Sequence, residues 1–317
     1  MRVKNKISPL EKDLILAHIL NKSREWVLTY PKIKLSPARQ RKLDSFIERR
    51  LKGEPLAYIL GHKEFYGLDI IVNNNVLVPR PETELMVDEV LNLTIHNSQP
   101  ITRNQKPKTN NNTIIIDVGT GSGCIAITLA KLINHNSFLS SADHPLFINH
   151  HSVFTFLATD ISRPALSVAK KNAKLHGVEK KIKFFRGNLL EPILKSKILN
   201  LKSKIIITAN LPYGWKAWKN NCSQDSIGLK FEPPVALYTG KNGLQLYEKL
   251  LKQITVLASS YKKNITCFFE FDPRQTIILK KIIKKYLPDA RLEIKKDLKG
   301  HNRLLILHLS EKTLIEN

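Results

Sequence analysis

Thr113-Ile114-Ile115-Ile116-Asp117-Val118-Gly119-Thr120-Gly121-Ser122-Gly123-Cys124 is the stretch whose reading decides the fold. Ile114 to Val118 is a short apolar run of the kind that forms a buried strand. Gly119 to Gly123 follows, and Cys124 to Leu132 reads as a helix. A strand, a glycine-rich turn and a helix form a nucleotide-type binding loop. Glycines let the backbone turn tightly and approach a ligand, and the helix N-terminus offers free N–H groups. No Lys-Ser/Thr pair follows, so the loop is not a Walker loop. Gly119, Gly121 and Gly123 are evenly spaced, unlike the dinucleotide motif, which puts two residues before its third glycine.

Downstream, strand and helix signals alternate. Val153 to Ala158 reads as a strand ending in Thr159-Asp160, where an acid can accept hydrogen bonds from ribose hydroxyls. Ile161-Ser162-Arg163-Pro164 opens a helix through about His176. Lys181 to Arg186 is a third strand, leading to Gly187-Asn188-Leu189. Ile205 to Ala209 is a fourth, and Asn210-Leu211-Pro212-Tyr213 sits at its C-terminal end. In an open α/β sheet, ligands bind at that end of the strands. A carboxamide, backbone carbonyls and an aromatic ring there suit a planar amide or amine nitrogen. An ordinary strand-ending turn would use the same residue types.

A helix is expected from Leu244 to Tyr261, a strand from Asn264 to Phe271, and a helix from Pro273 to Leu287 with Ile277, Ile278, Ile282 and Ile283 on its apolar face. Two closing strands, Arg291 to Lys295 and Arg303 to Leu309, flank Gly300-His301-Asn302. This succession predicts a doubly wound, mostly parallel α/β sheet with an antiparallel edge at its C-terminus.

Upstream, Leu10 to Lys52 reads as helices. Leu14, Ile15, His18 and Ile19 recur at helical spacing, as do Leu43, Phe46, Ile47 and Leu51. Glu64 to Val72 and Val76 to Val78 read as a hairpin around Asn73-Asn74-Asn75. Pro79-Arg80-Pro81-Glu82-Thr83-Glu84 then opens a helix, either as a rigid bridge or as a wall of a cofactor pocket. Ile95 to Thr113 and Asn134 to Ser152 are polar and read as linker or surface insertions; the histidines of the second lack metal-site spacing.

The 317 residues are enough for about two domains. At 42% hydrophobic they can bury a core. No apolar run of about 18 residues predicts a membrane span, and the N-terminus lacks the apolar segment of a signal peptide. Cys124, Cys222 and Cys267 are too widely spaced for a disulfide framework or a zinc site, so reduced thiols and no metal are expected. The net charge of +24 points either to an anionic partner or to a compositional habit, since Lys is spread throughout. Gly214-Trp215-Lys216-Ala217-Trp218-Lys219 is either a substrate-facing lip or a solvated loop.

Several segments together resemble the protein-glutamine N5-methyltransferases that modify peptide chain release factors. They are Arg49 to Gly61, Glu64-Phe65-Tyr66-Gly67-Leu68, Pro79 to Glu84, Asp117 to Ala126 and Phe231-Glu232-Pro233. The glycine loop alone would imply only a Rossmann-like methyltransferase; the N-terminal segments joined to Pro79 to Glu84 are more specific. The resemblance implies a helical substrate-docking domain (residues 1–62), a β-hairpin connector (63–78) and a seven-stranded class I methyltransferase domain (79–317). The implied cofactor is S-adenosylmethionine, and the implied partner is a release factor, methylated in its Gly-Gly-Gln motif.

Position by position, the resemblance implies that Gly119, Thr120, Gly121, Ser122 and Gly123 wrap the cofactor and that Asp160 holds its ribose. Asn188 and Leu189 fall at the adenine contact. Asn210, Leu211, Pro212 and Tyr213 are implied to hold the target glutamine and to present its nitrogen in line with the cofactor's methyl group, with Asn210 also touching the cofactor. The chain departs from the family pattern at Asn188, where an acid is usual, at Leu211, where Pro is common, and at Asp272, where Gly is favoured. Asn-Leu-Pro-Tyr is also similar to the motif of ribosomal RNA adenine N6-dimethyltransferases. A ribosomal-protein glutamine or an RNA or DNA adenine therefore stands as the alternative substrate. A cytoplasmic monomer is expected, with weak nucleic-acid or ribosome contact left open.

Overall fold

The structure, a computed structural model, describes residues 7–96, 112–135, 153–196, 198–199, 203–215, 228–261 and 264–309. The two polar insertions, Cys222 and most of the Trp-Lys lip lie largely or wholly outside these residues.

Four helices open the chain: α1 (Pro9–Leu20), α2 (Arg24–Thr29), α3 (Pro37–Leu51) and α4 (Leu56–Leu60). Local chemistry sets their starts. Ser8 and Glu11 form a reciprocal capping box at α1, and Ser36 caps α3 with Pro37 at its first position. Ile15, Ile19 and Leu43 make a small core with Phe46, Ile47, Leu56 and Leu60 around it.

The hairpin is β1 (His62–Phe65) and β2 (Leu68–Ile71), with Phe65 opposite Leu68. Its turn is therefore Tyr66-Gly67, not the predicted Asn73-Asn74-Asn75. Both turn residues have positive φ, +52° and +72°. That is the mirror-image turn whose twist matches paired strands, and Gly67 adopts it without strain. Asn73 instead closes a separate turn, accepting from Val76 N at 3.1 Å, and among the described residues Val76 to Val78 pair with no strand.

The remaining elements are α5 (Glu84–His96), β3 (Thr113–Val118), α6 (Cys124–His135), β4 (Phe154–Asp160), α7 (Arg163–Leu175), β5 (Ile182–Arg186), α8 (Glu191–Lys195), β6 (Lys204–Ala209), α9 (Pro234–Leu237), the turn α10 (Gly240–Gly243), α11 (Gln245–Tyr261), β7 (Ile265–Glu270), α12 (Thr276–Tyr286), β8 (Arg291–Lys296) and β9 (Asn302–Leu309). One seven-stranded sheet runs in the order β5-β4-β3-β6-β7-β9-β8. Strands β3 to β7 pair in parallel, and β9 runs antiparallel between β7 and β8.

Both sheet faces are covered, which explains why the central strands are continuously apolar. Ile114, Ile116, Ile205 and Ile207 pack with α11 and α12 on one side. Ile115, Ile206 and Phe156 pack with α5, α6, α7 and the hairpin on the other. The inward face of α12 is corrected: Leu279 and Ile283 are fully buried, whereas Ile277 is 70% exposed. Leu279 and Ile283 are four residues apart and so lie on one helix face. Among the described residues no helix is long and apolar enough to cross a membrane.

Candidate active site

β3 neighbours both β4 and β6, so chain order reverses between β3 and β6. Val118 lies opposite Ala209, and Gly119 and Asn210 therefore leave the sheet side by side. A cavity opens there, where such sheets bind ligands. Its lining includes Gly119, Thr120, Gly121, Ser122, Asp160, Asn188, Leu189, Asn210, Leu211 and Pro212. These sequence-predicted residues come from the ends of four strands.

The glycine loop is held from three sides. Gly119 N and Thr120 N both donate to Thr159 O at 2.9 Å. Asp117 is buried and accepts from Thr120 Oγ1 at 2.6 Å and Thr208 Oγ1 at 2.9 Å. Burial pushes its carboxyl up to about 6, although these donors oppose the shift. The third anchor is Asn172 of α7, fully buried, which donates to Ser122 O at 2.9 Å. Its carboxamide also accepts from Ile71 N and donates to Ile71 O, tying the hairpin to the loop. Gly123 does not line the cavity. A Cβ there would lie 2.8 Å from Ile127 Cδ1 and 3.1 Å from Ala169 Cβ, so this glycine lets two helices approach.

Asp160 caps the loop from the next strand, accepting from Gly121 N at 2.9 Å and Ser162 N at 2.8 Å. Burial raises its carboxyl, and these backbone donors pull it back. Leu189 has positive φ (+55°). Gln253 secures it from α11, accepting from Leu190 N at 2.8 Å. Asn188 Nδ2 donates to Glu191 Oε1 at 3.3 Å.

Beyond β6, Asn210 Nδ2 donates to Thr83 Oγ1 at 3.0 Å, and Thr83 Oγ1 donates to Glu270 Oε2 at 2.7 Å. Tyr213 does not line the cavity. Its hydroxyl donates to Glu270 Oε1 at 3.2 Å, and its carbonyl accepts from Gln275 Nε2 at 2.9 Å. Burial, with Glu270 beside it, pushes the Tyr213 phenol well above its ordinary value. Burial also raises Glu270, opposed by Thr83, Arg303 and Tyr213. Leu211 N donates to the Tyr247 hydroxyl at 3.3 Å, and Tyr247 in turn bonds Ala209 O and Glu270 O, joining the ends of β6 and β7.

Pro79, Arg80 and Thr83 form the opposite wall, the sharper of the two readings of that segment. Arg80 is fixed by an ion pair with buried Glu232, whose carboxylate also takes Val78 N at 3.1 Å. Trp215 stacks with Arg274, whose guanidinium carbon lies 4.9 Å from the ring centroid. Sequence reasoning missed Asp117, Asn172, Tyr247, Gln253 and Glu270 as site residues. Asp117 and Glu270 carried a usable signal, since each is an acid set within or ending an apolar strand. Among the described residues no group of three or more His, Cys, Asp or Glu could hold a metal ion.

The PrmC N-terminal domain family matches residues 4–61, and the N-6 DNA Methylase family matches residues 78–261. A release factor glutamine methyltransferase of Mycoplasma mycoides is 31% identical over 92% of this chain and 90% of its own length. One from Dictyoglomus turgidum is 33% identical over 93% and 89%. A bifunctional methyltransferase of Rickettsia prowazekii is 32% identical over 93% of this chain but only 52% of its own length. The chain thus spans about half the length of that curated relative and of two similar Rickettsia proteins. Among solved structures, the hMettl16 catalytic domain in complex with a MAT2A 3'UTR hairpin superposes with a TM-score of 0.51 at 14% identity, covering 89% of this chain and 82% of that one. That likeness concerns the fold.

Proposed function

The chain belongs to the release factor glutamine methyltransferase family, and from that premise we propose that it transfers a methyl group from S-adenosylmethionine to the N5 nitrogen of a glutamine in a release factor, within its Gly-Gly-Gln motif. The observation that carries this reading is a pair of acceptors at the cavity. Asn210 spends its Nδ2 on Thr83, so its Oδ1 remains available. The Leu211 carbonyl has no hydrogen-bond partner among the described residues. A carboxamide nitrogen bears two hydrogens and needs two acceptors to fix its plane. Because residue 211 works through its backbone, Leu serves as Pro would, and Pro212 biases it toward an extended conformation.

The cavity fits the cofactor. Gly119 turns the chain into the cavity with a φ of +74°, a conformation that favours glycine, and a Cβ there would press on Leu211 Cδ2 at 2.9 Å. Asp160 would accept from the ribose hydroxyls with the lone pairs its backbone donors leave. Asn188 donates through Nδ2 to Glu191, and its Oδ1 would accept from an adenine amino group. The carboxamide thus replaces the acid usual at this position. When bound, the cofactor would supply an electrophilic methyl group whose bonding pair stays with sulfur, while the target nitrogen, held by Asn210 Oδ1 and Leu211 O, would gain that carbon and release one of its two protons to solvent.

Asn210 Oδ1 and Leu211 O would hold the amide plane and stabilise the positive charge that develops on nitrogen. Helices α1 to α4 would supply much of the contact with the protein substrate.

Labelled S-adenosylmethionine with release factor, ribosomal protein or RNA in separate reactions tests the reading, with mass spectrometry locating the methyl group. Label on the release-factor glutamine is expected. An adenine amino group also needs two acceptors, so label on RNA alone would overturn the proposal. Asn210→Ala should lower methyl transfer about 100-fold or more, as loss of a transition-state contact does, with cofactor affinity little changed.

A further inference from the structure

Glu270 is a carboxylate, 2% exposed, at the end of β7 and absent from the cavity lining. Burying a charge is costly unless it is fully partnered. Packing alone does not call for an acid here, so its partners matter. Thr83 Oγ1 donates to one oxygen at 2.7 Å, and the Tyr213 hydroxyl donates to the other at 3.2 Å. Arg303 of β9 is the facing cation, itself paired with Asp297 at 3.2 Å.

The consequence follows from counting hydrogens. A threonine hydroxyl has one hydrogen. Once that hydrogen goes to Glu270, Thr83 Oγ1 can only accept from Asn210. Its partner at 3.0 Å must then be the Nδ2 end of the carboxamide. The two ends of a carboxamide are nearly equal in size, so sterics alone would not choose between them. A neutral group at position 270 could reverse the series, leaving Thr83 to donate to Asn210 Oδ1 and the cavity to meet an NH2 group. An NH2 group there would oppose an incoming amide N–H.

We propose that Glu270, acting through the Thr83 hydroxyl, is the positioning group that makes Asn210 an acceptor rather than a donor toward the target nitrogen. The series Asn210–Thr83–Glu270 joins the end of β6, the helical turn Pro81–Thr83 and the end of β7. It also polarises the carboxamide, because hydrogen bonds in a chain strengthen one another. Neither Thr83 nor Glu270 needs to touch the substrate. This inference rests on the reading of Asn210 given above.

The test uses the full chain, labelled S-adenosylmethionine and release factor, with Thr83→Val, Thr83→Ser and Glu270→Gln. Valine keeps the shape of threonine and removes the hydroxyl. Thr83→Val and Glu270→Gln should lower kcat about 30- to 300-fold, the range for disturbing one transition-state acceptor, with the Kd for S-adenosylmethionine within about threefold of wild type. Thr83→Ser restores the hydroxyl and should recover most of what Thr83→Val loses. Wild-type kcat in Thr83→Val, or an equal loss in Thr83→Ser, would overturn the proposal.

A second measurement is independent of turnover. In protein labelled with 15N-asparagine, the Asn210 carboxamide hydrogens should be protected from exchange in the wild type and lose that protection in Thr83→Val and in Glu270→Gln. Wild-type protection in either variant would reject the series. Should the wild type fail to methylate release factor, the reading of the substrate falls while this exchange experiment still decides the role of Glu270 and Thr83.

Discussion

Gly243 lies so close to the chain behind the site that no side chain fits there. A Cβ on it would fall 1.9 Å from the Tyr213 carbonyl oxygen, and its φ is +81°. Gly243→Ala combines a backbone clash with a conformation that L-residues avoid. A loss of about 2 kcal/mol or more is expected from such a clash, measured by urea unfolding. Asp117 offers a test with a defined sign. Its folded pKa is raised to about 6 from 3.8, so the folded state binds a proton more tightly than the unfolded state. Its contribution is fully present below about pH 4 and is lost as pH rises through about 6. The stability advantage of wild type over Asp117→Asn should therefore shrink between pH 5 and 7.5, by on the order of 2 kcal/mol at most. An advantage that grew over that range would contradict the assignment.

At the scale of elements, the glycine loop, Asp160 and the Asn210 turn were legible because each is a local signal at a strand end. Periodicity was less reliable where several isoleucines share one helix. The spacing of Ile277, Ile278, Ile282 and Ile283 predicts one apolar face, yet Ile277 and Ile278 are exposed and Ile283 is buried. Ile283→Ala removes a fully buried side chain and should cost about 2–5 kcal/mol. Ile277→Ala, 70% exposed, should cost less than about 0.5 kcal/mol. Chemical denaturation of both variants checks the correction. Asn73-Asn74-Asn75 is a stronger turn signal by composition than Tyr66-Gly67, yet the hairpin turns at the latter. Strand pairing from His62 to Ile71 fixes the shorter turn.

For the whole molecule, the helical region has its own small core, while Tyr58 of α4 belongs to the core that includes the hairpin. Residues 1–52 are therefore the segment to delete. The shortened chain is expected to keep S-adenosylmethionine binding and to lose about tenfold or more in affinity for release factor, as when one part of a docking surface is removed. Unchanged affinity in a binding titration would show that the helices serve another purpose.

By itself the sequence determined the alternation of strands and helices, the ends of β3, β4, β5 and β6 that line the cavity, and the family. These depend on residues close together in the chain. Only the tertiary structure brought Thr83, Asn210 and Glu270 together, across separations of 127 and 187 residues. The pairing of β6 with β7 and the seating of the Pro81–Thr83 turn over their ends create that contact. A hydrogen-bond direction belongs to three partners at once, so no single stretch of sequence could have carried it.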